Sequence, residues 1–484
     1  MTATTRGTRP SFLTEGRAAF PEGFVWGAST ASYQIEGAVR DDGRGPSVWD
    51  TFSRTPGKVA SGHTGDVACD HYHRYAEDVR LMAGLGLGAY RFSISWPRVR
   101  PDGVGPVNTR GLDFYDRLVD ELAAAGITPY ATLYHWDLPQ ALEDRGGWTS
   151  RDTAHRLAEY AEVVHARLGD RVRHWTTLNE PWIQAFLGYG SGVHAPGRTD
   201  ARSALLASHH FVLAHGLAAQ ALRAAGAQEV MLVVNSSLVV TPEQMLDPGA
   251  PVSEADGEAV GRANALMHRQ ILDPVLLGEY PAEVLAVLER HGGLGHIHDG
   301  DLKDAHQPAD VIGVNYYNPC VVRSAPGEPA DAAWPGGEDI AFPAVQAPKT
   351  AMGWPIVPEG LSRLLLQFSR DYPGTRLMVT ENGAAFDDVV TPGAPGEPGE
   401  PGDRVHDADR TAYLESHLRA VHAAIEGGAD VRGYLVWSLL DNFEWAEGYD
   451  RRFGIVRVDF ATQRRLLKDS GIWYRDVIRE NGLT

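Results

Sequence analysis

The sequence predicts an α/β fold: a single (β/α)8 TIM barrel with long loops at its C-terminal rim. Three observations support this. Eight β-rich runs alternate with longer stretches of helical period, no part of the chain carries strands alone, and the strand ends are polar and aromatic rather than aliphatic.

The strand candidates begin at Phe24 (FVWGAS), Ala89 (AYRFSISW), Thr128 (TPYATLYHW) and His174 (HWTTLNE). They continue at Val230 (VMLVVNS), Ala309 (ADVIGVNYY), Arg376 (RLMVTENG) and Val431 (VRGYLVWSLL). Each is rich in β-branched or aromatic residues, which suit a pleated, buried surface. Between them lie amphipathic stretches such as DFYDRLVDELAAAG, RLAEYAEVVHARLG and RTAYLESHLRAVHAAIEGG. These end in glycine, a common helix stop. Two Pro/Gly-rich segments, 324–350 and 391–403, read as long loops after the sixth and seventh strands. Neither is a linker, because the barrel needs the segments on both sides. Residues 1–484 are therefore expected to form one domain, with 1–19 a flexible N-terminal extension.

Composition narrows the function. The 484 residues are 43% hydrophobic and carry a formal charge of −19. So acidic a surface disfavours nucleic acid and anionic membranes as partners and is compatible with a small neutral substrate. Two cysteines, Cys69 and Cys320, do not make a secreted disulfide framework. With no apolar signal segment or spanning run, a cytoplasmic location is expected. A bias of arginine over lysine suggests a bacterial source. Oligomeric state is left open.

In such barrels chemistry gathers where the strands end. The strand ends here carry Gln34, Trp96, His135, Asn179, Glu180, Asn235, Asn315, Tyr317, Glu381 and Trp437. Carboxylates, amides and indoles together suit a carbohydrate: acids for chemistry, amides for hydroxyls, and ring faces for the apolar side of a pyranose. Retaining glycoside hydrolysis needs two carboxyl groups about 5–5.5 Å apart. Glu180 in TLNEP and Glu381 in TENG end the fourth and seventh strands, where barrel closure brings distant segments to one pocket. A lone strand-end glutamate is usually a solvated loop residue. Two of them, each beside an amide, weaken that reading.

TLNEP and TENG resemble the two signature segments of glycoside hydrolase family 1, the β-glucosidase family. FVWGASTASYQIEGA, RFSISWPR, TLYHWDLPQAL, GVNYYNP, MGWPIVPEGL and SLLDNFEWAEGYDRRFG follow the same family in order. The resemblance runs from about residue 20 to the C-terminus. It implies a retaining β-glucosidase acting on cello-oligosaccharides and aryl or alkyl β-glucosides, with no cofactor and no metal. Carried over, Glu381 is the nucleophile and Glu180 the acid/base. Asn179 holds the 2-hydroxyl, and Gln34, His135, Glu444 and Trp445 hold the remaining hydroxyls. Trp437 lies under the ring. Tyr317 donates to Glu381 with Arg91 nearby, so that both keep it ionised. Asn315, Trp136 and Trp354 support the pocket. Strand alternation favours Tyr317 over Tyr316, because Asn315 and Tyr317 share a face.

Other readings carry less weight. His71 and His73 lie on one helical segment, where i and i+2 diverge, and His296, His298 and Asp299 lie in a Gly-rich loop. The GLGLG run at Gly84 follows a helix, the reverse of a dinucleotide loop. Trp182 and Trp354 could flank the leaving group, and Trp334 is a weaker candidate. Three alternatives remain. A broad β-galactosidase/β-fucosidase is one. A 6-phospho-β-glycosidase is disfavoured because the charge of Glu444 would repel phosphate. A non-catalytic sugar-binding relative is disfavoured because both carboxylates are present.

Overall fold

A computed structural model describes residues 16–392 and 402–484. Eight parallel strands close a barrel: β1 (Val25–Ser29), β2 (Ala89–Ser93), β3 (Thr128–Tyr134), β4 (His174–Asn179), β5 (Glu229–Ser236), β6 (Val311–Tyr316), β7 (Arg376–Asn382) and β8 (Val431–Trp437). Each pairs with its neighbours in chain order, and β8 pairs back onto β1. All eight lie within or overlap the runs read from the sequence.

The principal helices are α1 (His71–Gly84), α2 (Thr109–Ala124), α3 (Asp152–Leu168), α4 (Ala201–Ala224), α5 (Glu254–Asn264), α6 (Pro358–Asp371), α7 (Ala408–Glu426) and α8 (Asp469–Glu480). Helix α2 shows why they form. Tyr115, Leu118, Val119 and Leu122 recur at helical spacing and all are buried. Each aliphatic side chain so buried contributes about 1.5–3 kcal/mol over an exposed position. Gly126, at φ 72°, then turns the chain out of the helix.

Alternation along the strands sorts the barrel wall. Tyr90 and Phe92 face the helices, whereas Ala89 joins Tyr130, Met231, Val233, Val311, Met378 and Leu435 in a separate apolar cluster inside the barrel. Arg91 shares the inward register of Ala89 and is fully buried above that plug. An unpaired arginine could not persist there, and its partners define the site.

Two expectations are modified at the chain ends and loops. Residues 1–15 lie outside the described residues, but Ala18–Ala19 pair antiparallel with Gly482–Leu483. Asn481 also accepts from Phe20 N–H at 3.0 Å. The segment just before β1 is thus tied to the C-terminus, so Ala18 and Ala19 do not belong to the expected flexible extension. In the second proline-rich loop, 393–401 lie outside the described residues, while Val390–Thr391 pair with Arg404–Val405. At the start of the 324–350 segment, Arg323–Ser324 pair antiparallel with Ile340–Ala341.

Candidate active site

Register carries polar residues to one rim. Asn235 on β5 pairs with Asn315 on β6, and Asn315 pairs with Glu381 on β7. The ladder is irregular between Thr176 and Asn179 on β4 and between Val379 and Glu381 on β7. Bulges re-aim side chains, and here they occur on the two strands that carry the glutamates. As a result Thr380 and Glu381, consecutive in a strand, both reach Asn315. Glu180 follows β4 with φ 47°, and Trp136 and Trp445 have φ 74° and 48°. Left-handed backbone in non-glycine residues costs about 1–3 kcal/mol each and gathers at functional sites.

These residues surround a cavity of about 650 Å³. Glu180, Glu381, His135, Tyr317, Trp437 and Glu444 line it. So do Asn235, Asn315, Trp136, Trp354 and Trp445, together with Trp182 and Trp334. Gln34, Arg91 and Asn179 do not line it; they form a bonded layer beneath. Arg91 donates to Glu381 Oε1 at 2.7 Å and to Asn179 Oδ1 at 2.6 Å. Asn315 Nδ2 donates to Glu180 Oε1 at 2.9 Å, and its Oδ1 accepts from Thr380 at 2.7 Å. Tyr317 donates to Glu381 Oε2 at 2.8 Å. Tyr316 turns away, donating to Val357 O at 2.7 Å.

Asn179 Nδ2 lies 3.0 Å from His135 Nε2. Burial and Arg91 hold His135 well below the usual imidazole range, so the ring is neutral. If the amide donates to Nε2, the ring proton sits on Nδ1, a buried atom that has no partner. Gln34 Oε1 and Asn235 Oδ1 are likewise buried and unpaired. Such atoms are costly unless a ligand satisfies them.

Burial raises both carboxyls above their ordinary range, but unequally. For Glu180 desolvation is the largest cause and the charge of Glu381 the next, which places it well above 4.5. For Glu381 desolvation is opposed by Arg91, Tyr317 and Asn315, so it is the first of the two to ionise. At Glu180 burial outweighs the neighbouring charge. The expectation that Arg91 and Tyr317 keep Glu381 ionised changes in emphasis, because they restrain a rise caused by burial rather than lowering it outright. Burial, with Glu381 and Glu447, also pushes Glu444 up to about 8. Glu444 is therefore largely neutral at pH 7, and simple charge repulsion is a weaker argument against phosphate than the sequence suggested.

Several sequence candidates fall elsewhere. Trp96 is fully buried and stacks on Tyr160 at 5.0 Å, in the helical shell rather than at the cavity. Trp334, weakly favoured from sequence, lines the cavity and meets Trp182 at 5.1 Å. His71 binds Asp78 and His73 binds Asp70. Among the described residues no group of three or more His, Cys, Asp or Glu is placed to hold a metal ion. Thr380 was missed. Strand alternation sets it opposite Glu381, and only the bulge reveals its hold on Asn315.

An eight-stranded parallel barrel with two unequal buried glutamates at its C-terminal rim defines a barrel glycoside hydrolase. The family model described as Glycosyl hydrolase family 1 matches residues 16–483, and the chain belongs to that family. The thermostable beta-glucosidase B of Thermobispora bispora is 57% identical over 97% of this chain and 92% of its own. The bifunctional beta-D-glucosidase/beta-D-fucosidase of Bifidobacterium breve is 46% identical over 96% and 98%. Among solved structures, a beta-glucosidase from Thermotoga maritima in complex with glucoimidazole superposes with a TM-score of 0.87. It is 46% identical, covering 96% of this chain and all of that one (100%).

Proposed function

We propose that the protein is a retaining β-glucosidase that removes terminal β-glucosyl residues from cello-oligosaccharides and aryl or alkyl β-glucosides. One observation carries the mechanism: two glutamates share a cavity, and only Glu381 has a guanidinium on it. Arg91 and the Tyr317 hydroxyl favour the Glu381 carboxylate, which attacks the anomeric carbon. Glu180 keeps its proton and gives it to the departing oxygen.

The sugar is then esterified to Glu381, whose charge is gone. That loss removes the neighbouring charge that helped to raise Glu180, so its proton affinity falls. Glu180 then takes a proton from water, which attacks the anomeric carbon and releases the sugar with retained configuration. No cofactor is needed for these steps. His135 Nδ1, Glu444 and Trp445 are assigned to the sugar hydroxyls from the cavity wall, Gln34 Oε1 to a hydroxyl and Asn179 to the 2-hydroxyl from the layer just beneath it, and Trp437 to the face of the ring. Asn315 and Trp136 hold this set from beside it, and Trp354 stands toward the leaving group. One barrel domain carries the whole reaction.

A broader glycone range is a second reading, favoured by the relative named for both glucosidase and fucosidase activity. The free thiols Cys69 and Cys320 are compatible with a cytoplasmic setting. No described helix is long and apolar enough to cross a membrane.

The test is kcat/KM on nitrophenyl β-gluco-, galacto-, fuco-, xylo- and 6-phosphoglucosides, for wild type and Glu381→Ala. The glucoside should rank with the best and lose essentially all turnover in the variant. Turnover confined to the 6-phospho sugar, or none on any member, would refute the assignment.

A further inference from the structure

Beneath the loop that ends in Glu444 lies a buried ionic cluster that the proposed chemistry does not use. Lys468 Nζ donates to Asp441 Oδ1 at 2.7 Å and also to Asp388. The other oxygen of Asp441 accepts from Arg452 at 2.7 Å. Arg410 holds Asp388 at 2.9 Å and also pairs with Asp407. Three carboxylates thus face three cations, and the side chains of Lys468, Asp441 and Asp388 are at most 1% exposed.

The cluster clamps two active-site segments together. Asp388 belongs to the stretch after Glu381, and Arg410 Nε donates to Ala384 O in that stretch at 3.2 Å. Asp441 begins the run that leads to Glu444. Beyond it, Asn442 Oδ1 and Phe443 O accept from Gln34 Nε2 at 3.0 and 2.9 Å. Gln34 Nε2 also reaches Glu444 Oε2 at 3.5 Å. Asp441 is therefore fixed by cations from below, while the next residues are fixed by a proposed sugar-binding amide from the side.

Buried ion pairs are weak devices for stability, since apolar residues of similar volume often serve as well. What they supply is a defined geometry. The residue type fits that role. The chain has four lysines, at 58, 303, 349 and 468, against 44 − 4 = 40 arginines. At 468 a compact ammonium bridges two carboxylates, where a planar fork demands different geometry.

We infer that Lys468 is a positioning residue: through Asp441 it fixes the 441–444 segment and so sets how strongly Glu444 holds the 6-hydroxyl of the sugar. This rests on the reading of Glu444 as a glycone-binding residue and on placing it at the 6-position, where its charge is weighed against a 6-phosphate. A misplaced binding group far from the chemistry costs up to about 100-fold.

The experiment compares kcat/KM on nitrophenyl β-glucoside and on its 6-deoxy analogue. Wild type, Lys468→Met, Arg452→Gln and Glu444→Gln are each measured. In Lys468→Met the glucoside/6-deoxyglucoside ratio should fall about tenfold, with a smaller fall in Arg452→Gln. Should Lys468→Met fail to fold, Arg452→Gln decides, because its side chain is 21% exposed and its loss is easier to bear. An unchanged ratio in the folded variants, or an equal loss on both substrates, overturns the inference. Glu444→Gln separates the two claims. If it lowers the ratio and the cluster variants do not, only the role of Lys468 fails. If it leaves the ratio unchanged, the reading of Glu444 fails with it.

Discussion

At the residue scale, the two glutamates differ because their neighbours differ. Glu180 receives one amide N–H from Asn315, whereas Glu381 receives a guanidinium and a phenol. The raised Glu180 must be protonated to act as acid, so activity should fall as pH rises through its shifted value. Glu180→Gln should remove that basic limb and lower kcat on alkyl glucosides by about 10²–10⁴. A basic limb of unchanged position in the variant would contradict the role. The shift also has a stability cost. Unfolded Glu180 ionises near 4.5 and the folded group well above it. The folded state binds the extra proton in that window, so this contribution to stability is present at low pH and lost as pH rises. Both glutamates were legible in the sequence, as was the choice of Tyr317 over Tyr316, which needed only strand alternation. The magnitude of burial was not. Depth below the surface is a property of the closed barrel, and it dominates at Glu180 and Glu444.

At the element scale, all eight strands were visible as β-branched and aromatic runs, and helix ends such as Gly126 were visible as glycines. What periodicity cannot show is where a strand breaks its own alternation. The irregularities before Asn179 and Glu381 re-aim the side chains that matter, and Thr380 was missed for that reason. Trp96 was misplaced by the same logic: a strand end in sequence is not yet the cavity wall, because the chain turns outward into the shell beside Tyr160. Gly383 shows how closely β7 and β8 meet above the rim. A Cβ there would lie 1.6 Å from Trp437 O. Backbone cannot yield as a side-chain tip does, so the clash must move one of the two segments. Gly383→Ala should therefore lower stability by about 1–3 kcal/mol or more and depress kcat/KM through displacement of Trp437 or Glu381. Thermal unfolding and glucoside kinetics at wild-type levels would show that the approach is not as close as described.

At the scale of the whole molecule, the barrel brings residues 201 positions apart (381 − 180) to a single cavity. Its interior is filled below by the Tyr130–Met231–Leu435 cluster, and the cavity that holds both glutamates lies at the upper end. The rim loops shape the outer part of that cavity. The 324–350 segment read as irregular from sequence, yet it supplies Trp334 and Phe342 to the wall. Loop shape was illegible because it depends on contacts with Trp182 and with the rest of the rim, not on local periodicity. The central claim is that Glu381 forms a covalent bond to the sugar. It is tested most directly by incubating the protein with a 2-deoxy-2-fluoro-β-glucoside bearing an activated leaving group, then locating the label by peptide mass spectrometry. The account predicts inactivation with one fluorodeoxyglucosyl group on the peptide containing Glu381, and none in Glu381→Ala. A label on Glu180, or turnover to a product of inverted configuration with no label, would contradict it.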